Sequence, residues 1–279
     1  MIDLHTHSTC SDGSDTPARV AELAAAAGCS AFALTDHDRL DGQDEAGRRA
    51  AELGVRLVPG CEISCEWDGG TFHLLVYFVP AGAGSPLEEE LVDLQQARDD
   101  RNGVMIERLR GLGLPITYEE VLEEAAGAGV GRPHVAAVLV RNGAANSIQD
   151  AFDRWLAKGK PGYVDKRRLH PDEAMAVARA SGGLPVMAHP LSLGLAPPEL
   201  AKTVGELADL GLTGMECWYG RYTPEERAGL AALAVEHGLV ATGGSDHHGT
   251  YKPDLTVGRG RGDLDVPDSA LAELEGRLR

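Results

Sequence analysis

The chain has 279 residues, 43% hydrophobic and 25% charged, which excludes a disordered or fibrous architecture and leaves room for one barrel-sized domain with a small inserted module. Its formal net charge of −17 repels polyanions at long range and excludes extended electrostatic binding of a nucleic-acid duplex. Bound divalent cations would reverse that sign locally, so an acidic protein of this kind can still take a phosphate.

The first residues, MIDLHTHSTCSDGSD, turn acidic and polar too soon for a signal peptide, and no apolar run is long enough to span a bilayer. The five cysteines, Cys10, Cys29, Cys61, Cys65 and Cys217, are odd in number and scattered. A cytoplasmic protein without membrane association, its cysteines buried as small hydrophobes, is expected.

Elements then follow in order. A strand is expected at Ile2–Leu4, a helix at Pro17–Ala27, a strand at Ala31–Thr35 and a helix at Gly42–Leu53. A third strand starts at Arg56–Val58 and runs toward Ile63. The turn signal Trp67-Asp68-Gly69-Gly70-Thr71 joins it as a hairpin to a fourth at Phe72–Val79. From 81 to 168 the pattern is helical only, with helices at Leu87–Arg110, Tyr118–Ala126, Pro133–Arg141 and Ile148–Lys158. That stretch is too long for a loop, and is expected to be a helical insertion capping the main domain. The alternation resumes with a helix at Pro171–Ala180, strand Leu184–Ala188, helix Pro198–Leu210, strand Gly214–Trp218, helix Pro224–His237 and strand Leu239–Thr242. Prolines open most of these helices, and Gly28, Gly54, Gly211 and Gly238 follow their ends as caps. Such alternation predicts an α/β fold, a mainly parallel seven-stranded barrel built from 1–80 and 169–279, with 81–168 inserted.

The ionisable residues fall where barrel enzymes place their chemistry, just beyond the C-terminal ends of strands. His5 and His7 follow the first strand, Asp36 and His37 the second, Glu62 the third, His189 the fifth, and Asp246, His247 and His248 the last. His73 starts the fourth strand, which the hairpin would bring to the same rim. One histidine beside a strand is more often structural than a ligand, but seven on one rim form a mixed nitrogen and oxygen field suited to zinc, manganese or iron rather than calcium. In His5-Thr6-His7 the period of two aims both imidazoles the same way.

With DLHTHSTCSDG at 3–13, LTDHD at 34–38, PGCEIS at 59–64, His73, AHP at 188–190 and GSDHH at 244–248, the sequence resembles the PHP family, named for polymerase and histidinol phosphatase. GRPH at 131–134 resembles the branch that includes nucleotide phosphatases and a 5′-to-3′ exoribonuclease. The resemblance implies a distorted seven-stranded barrel and a centre of two or three divalent metal ions, Mn, Fe or Zn. It implies the ligands His5, His7, Asp12, His37, Glu62, His73, His134, His189, Asp246 and His248. It also implies hydrolysis of a small phosphorylated substrate by a metal-bridged hydroxide. The branch points to a nucleoside 3′,5′-bisphosphate, a mononucleotide or short 5′-phosphorylated RNA, with histidinol phosphate as the alternative.

Within that frame Glu62 is the expected bridge, because a carboxylate can bind two ions and an imidazole nitrogen cannot. His5, His7 and Asp246 are expected to complete one shell, and Asp12, His37, His189 and His248 to be shared among the others. A third ion would draw on Glu62, His73 and His134. Catalysis is assigned to Glu62, Arg132, His134 and Asp246. Asp12 reads equally well as a turn residue in Ser11-Asp12-Gly13. Arg132, at a helix start, is either a bidentate binder of a substrate phosphate or a surface arginine. Lys160, Lys166, Arg167, Arg168 and Arg221 are weaker phosphate candidates, the run 166–168 reading as a solvated face. His170 and His237 are assigned to structure, and His247 is expected to point away from its neighbours. Two rivals stand beside this reading. An amidohydrolase also begins with HxH after a first strand, but commonly bridges its metals with a carboxylated lysine, and no lysine precedes Lys158 here. An inactive metal-bearing scaffold often loses ligands, whereas this set is complete.

Overall fold

A computed structural model describes residues 1–82, 84–125 and 129–278. Seven strands form one sheet in sequence order: β1 (Ile2–Thr6), β2 (Ala31–Leu34), β3 (Arg56–Cys65), β4 (Phe72–Tyr77), β5 (Leu184–Met187), β6 (Gly214–Tyr219) and β7 (Val240–Gly244). Neighbours pair in parallel except at β4, which is antiparallel to both β3 and β5. The chain beyond β7 closes the ring against β1, with Asp246 N–H donating to the His5 carbonyl at 2.8 Å and His7 N–H to that of His247 at 3.0 Å. The fold is a nearly closed, seven-stranded α/β barrel with helices around it.

Alternation of side chains explains the barrel's filling. Ile2, Leu4, Ala31, Ala33, Leu75, Tyr77, Leu184 and Val186 face inward, where Leu264, Val266, Leu271 and Leu274 join the same core. Phe32 and Leu34 face outward onto α1 (Pro17–Ala27) and α2 (Gln43–Leu53). Register shifts between Asp3 and Thr6, an irregularity that spans His5, which lies inside β1 rather than beyond the strand as the sequence suggested.

Glu62 does not follow the third strand but lies inside it. After Pro59, β3 leaves β2 and pairs from Gly60 to Cys65 with Tyr77 to Phe72 of β4. The hairpin prolongs the strand past the rim and carries Glu62 and Ser64 over the barrel mouth.

The segment from 81 to 168 contains α3 (Pro86–Gly111), α4 (Tyr118–Glu124), α5 (Arg132–Arg141) and α6 (Ile148–Ala151), the last running on as a π-helical turn over Phe152–Leu156. Of the helix expected at Tyr118–Ala126, Ala126 lies outside the described residues. The helix expected to reach Lys158 stops short because Ala157 is extended. Met105, Leu109, Val121, Val135, Leu139 and Leu156 form a core of their own, drawn from within this segment. Leu87, Leu91 and Leu94, early in α3, pack instead with Met175 of α7 (Pro171–Ala180) and the outer face of the barrel. Helix α3 is thus shared between two cores. The circuit is completed by α8 (Pro197–Asp209), α9 (Pro224–Glu236) and α10 (Ser269–Glu275).

Candidate metal centre

The rim gathers nine of the ten expected ligands. His5 and His7 bring their Nε2 atoms within 3.1 Å of each other. His73 sits opposite Ser64 in the β3–β4 ladder, which turns its imidazole to the same face as Glu62, with Nδ1 2.8 Å from Oε1. His189 adds Nε2 at 3.1 Å from that oxygen. The other carboxylate oxygen, Oε2, lies 3.4 Å from His5 Nε2, 3.2 Å from His7 Nε2 and 3.2 Å from His37 Nδ1. Glu62 thus offers each oxygen to a different set of imidazoles.

Among the described residues three groups of donors lie close enough to hold an ion: His7 with Asp12, His37 and His248; His5 with His7 and Asp246; and His37 with Glu62 and His73. Asp12 belongs to the first, between His248 at 3.3 Å and His37 at 3.8 Å, and so is more than a turn residue. His7 and His37 each serve two groups, a sharing that the expected partition lacked.

The electrostatics fit cations. Burial pushes the carboxyls of Asp12, Glu62 and Asp246 upward, but the surrounding imidazoles, with Lys252 at Asp246, outweigh it and hold all three well below the usual carboxylate range. Burial, joined by neighbouring positive charge, keeps His37, His73 and His248 neutral, His248 down to about 4. At His7 burial is overcome by Asp246 and Glu62, which raise it to about 9. The carboxylates therefore demand positive charge beside it. His7 Nδ1 and His37 Nδ1 are buried with no hydrogen-bond partner among the described residues. Anionic carboxylates among imidazoles, several of them held neutral, are the kind of donor set that divalent metals require.

Of the residues that hold the donors, the sequence reading placed only Asp36 at the rim and singled out none of the others. Glu216 in β6 is fully buried, accepts the His189 backbone N–H at 2.8 Å and sits 3.0 Å from His5 Nδ1, orienting the His5 imidazole and fixing the main chain that carries His189. A carboxylate within the apolar strand GMECWY was the available signal. Asp36 accepts from Ser8 N–H, Ser8 Oγ and Ser11 Oγ at 2.6–2.8 Å, fixing the loop that carries Asp12. Tyr219 and Lys252 donate to Asp246 Oδ2 at 2.8 and 2.6 Å. His189 and Asp246 have φ of +26° and +57°, strained values for residues other than glycine. His247 turns away, toward Asp15 and the Leu255 carbonyl. His170 is exposed near Glu66, and His237 lies against Gly205.

His134 is the exception. It joins none of the three donor groups, and its Nδ1 accepts the Gly131 N–H at 2.9 Å, capping α5. An imidazole that accepts at Nδ1 carries its proton on Nε2, so in this arrangement it offers a metal no second lone pair. The expected grouping of Glu62, His73 and His134 is replaced by His37, Glu62 and His73, because the cap bond commits the His134 ring to the helix.

Above the donors is a cavity of about 520 Å³, its floor formed by Asp12, His37, His73 and His248. Its other wall comes from the insertion and carries Arg98, Arg101, Arg132, Lys166 and Arg168. Arg132 lies over the Phe152 ring at 5.7 Å. Arg101, which sequence reasoning did not single out, is 5% exposed and has no carboxylate partner among the described residues; its Nε donates only to Asn102. Burial, with Arg98, Arg132 and Arg168 nearby, lowers its guanidinium to about 9. The run 166–168 is not one solvated face: Lys166 and Arg168 face the cavity, and Arg167 pairs with Glu90 outside. Lys160 is exposed and Arg221 pairs with Asp254, neither among the cavity residues.

The family model for the PHP domain matches residues 3–162. The chain belongs to the PHP family. The 5′-3′ exoribonuclease Rnm of Escherichia coli is 35% identical over 253 residues, covering 89% of this chain and 85% of that protein. The 3′,5′-nucleoside bisphosphate phosphatase of Chromobacterium violaceum is 30% identical over 278 residues, covering 99% and 97%. A solved structure of a candidate metal-dependent phosphoesterase from Bifidobacterium adolescentis superposes with a TM-score of 0.86 at 30% identity, over all of this chain and 96% of that one. This PHP protein is a metal-dependent phosphoesterase, and its histidine and aspartate clusters can hold the metals. No helix among its described residues is long and apolar enough to cross a membrane.

Proposed function

We propose that the protein hydrolyses a phosphate ester of a nucleotide-type substrate: a nucleoside 3′,5′-bisphosphate, a mononucleotide or short 5′-phosphorylated RNA. The observation that carries this reading is the pairing, across one cavity, of metal donors on the barrel with a cationic wall on the insertion. Two or three divalent ions, manganese, iron or zinc, would be held by His5, His7, Asp12, His37, Glu62, His73, His189, Asp246 and His248. When bound they supply Lewis acidity toward a phosphoryl oxygen and a lowered pKa for an attacking water. Glu62 would be shared between ions, since each of its oxygens is turned to its own set of imidazoles. Asp246, steadied by Tyr219 and Lys252, completes the set at His5 and His7.

The insertion acts as a cap that selects the substrate, while 1–80 and 169–279 supply the chemistry. A buried guanidinium without a carboxylate is costly unless an anion meets it. Arg101, with Arg132 lining the same wall, therefore binds a second phosphate of the substrate. A substrate with two phosphates uses both walls, and a simple aryl phosphate only one.

The test is phosphate release from these nucleotides and from an aryl phosphate, with manganese added, comparing wild type with Arg101→Met and Arg132→Ala. Each variant should lose about 1.5–3 kcal/mol of kcat/KM on the two-phosphate substrate and much less on the aryl phosphate. Equal losses on both would put the arginines on the transferring phosphate. No hydrolysis of any nucleotide by wild type would sink the reading.

A further inference from the structure

Asp38 directly follows the donor His37, yet its own carboxylate is committed elsewhere. Oδ2 accepts from Arg98 Nη2 at 2.6 Å and Lys166 Nζ at 2.9 Å, and Oδ1 accepts the Ser64 N–H at 3.3 Å. Its N–H donates to the Glu62 carbonyl at 3.0 Å, and its own carbonyl accepts from Gln95 Nε2 at 2.8 Å. One residue therefore ties together the loop carrying His37, the strand carrying Glu62, helix α3 and the segment returning from the cap. Asp38 is fully buried at φ +55°, a conformation that persists only where the surroundings over-determine it.

Arg98 and Lys166 both line the cavity, and they share this single carboxylate. Two long cationic side chains lose several rotatable bonds to stay in place, and beside Arg101 they repel one another. Only an anion fixed between them keeps both pointing into the wall. We propose that Asp38 is a positioning residue for substrate capture, holding Arg98 and Lys166 in the cavity wall at a set distance from His37 and Glu62. The proposal rests on the reading that a substrate phosphate meets this wall.

Asp38→Asn keeps the shape and removes the charge. Acetylation of the purified holoprotein, read lysine by lysine by mass spectrometry, reports the hold on Lys166 without any substrate. Lys202, 76% exposed, is the internal reference. In Asp38→Asn, Lys166 should gain reactivity relative to Lys202 severalfold. KM for a nucleoside 3′,5′-bisphosphate should rise about tenfold or more, the scale of one charge-assisted hydrogen bond. Its kcat, the bound-metal content and aryl phosphate hydrolysis should stay close to wild type, a split that general loosening of the fold would not give. If Asp38→Asn does not fold, Lys166→Met, which removes one held charge, should show the same KM-selective loss. Lys166 remaining protected in Asp38→Asn, or metal content and kcat falling together on both substrates, overturns the proposal. Wild type that cleaves aryl phosphate but no nucleotide would sink the nucleotide reading and leave the labelling result standing.

Discussion

Glu62 and His134 separate two roles that a motif alone runs together. Glu62→Gln changes one oxygen to an amide at nearly constant volume, so the fold should survive while kcat falls at least about a hundredfold, roughly 2.7 kcal/mol of barrier. Circular dichroism beside a steady-state assay checks both halves, and a variant keeping a tenth of the wild-type rate would remove Glu62 from the bridging role. His134→Ala should instead leave the bound metal unchanged and cost about 1–3 kcal/mol of stability, from the lost cap and the emptied ring volume. Loss of one metal equivalent in that variant would make His134 a ligand after all. Eight of the nine donors were legible in the sequence because each stands at a strand end or beside a hairpin whose direction could be read, whereas Asp12, in the loop after β1, read equally well as a turn residue and came only with the family resemblance. Arg101 and Glu216 were not, since a guanidinium inside a charged helix and a carboxylate inside a strand reveal their roles only once burial shows what they lack or what they hold.

At the scale of elements, the seam between β1 and the end of β7 brings His5 and Asp246 together, and Gly244 makes that approach possible. A Cβ on Gly244 would lie 2.4 Å from both the backbone N and the Cβ of His5, so nothing larger fits unless the seam opens. Gly244→Ala should destabilise the protein by about 1–3 kcal/mol and lower its metal affinity, because the strain falls on a donor's own backbone. Thermal melts with and without manganese would show it, and an unchanged melting point in both would contradict the seam's tightness. The strands and outer helices were readable from apolar period, proline starts and glycine stops. Two features escaped, the place of Glu62 inside β3 rather than after it and the π-turn after α6, because both depend on partners in space: β4 for the first, the packing of Phe152 and Leu156 for the second.

For the whole molecule, the carboxylates of the rim are held together by positive charge, so removing metal should weaken the fold as well as stop turnover. Elemental analysis of protein made in metal-replete medium should give at least two equivalents per chain, and chelation should lower the melting temperature, more so at low ionic strength. One equivalent or fewer, with no gain on adding manganese, would end the multinuclear reading. Helix α3 adds a mechanical consequence. Its 26 residues make a rod of about 39 Å, rooted in the barrel core through Leu87, Leu91 and Leu94 and carrying the insertion's own core from Met105 onward. Arg98 and Arg101 sit within about two turns of the root. A lever moves least beside its clamp: bending of α3 would sweep its far end, and α5 with it, while hardly displacing Arg98 and Arg101.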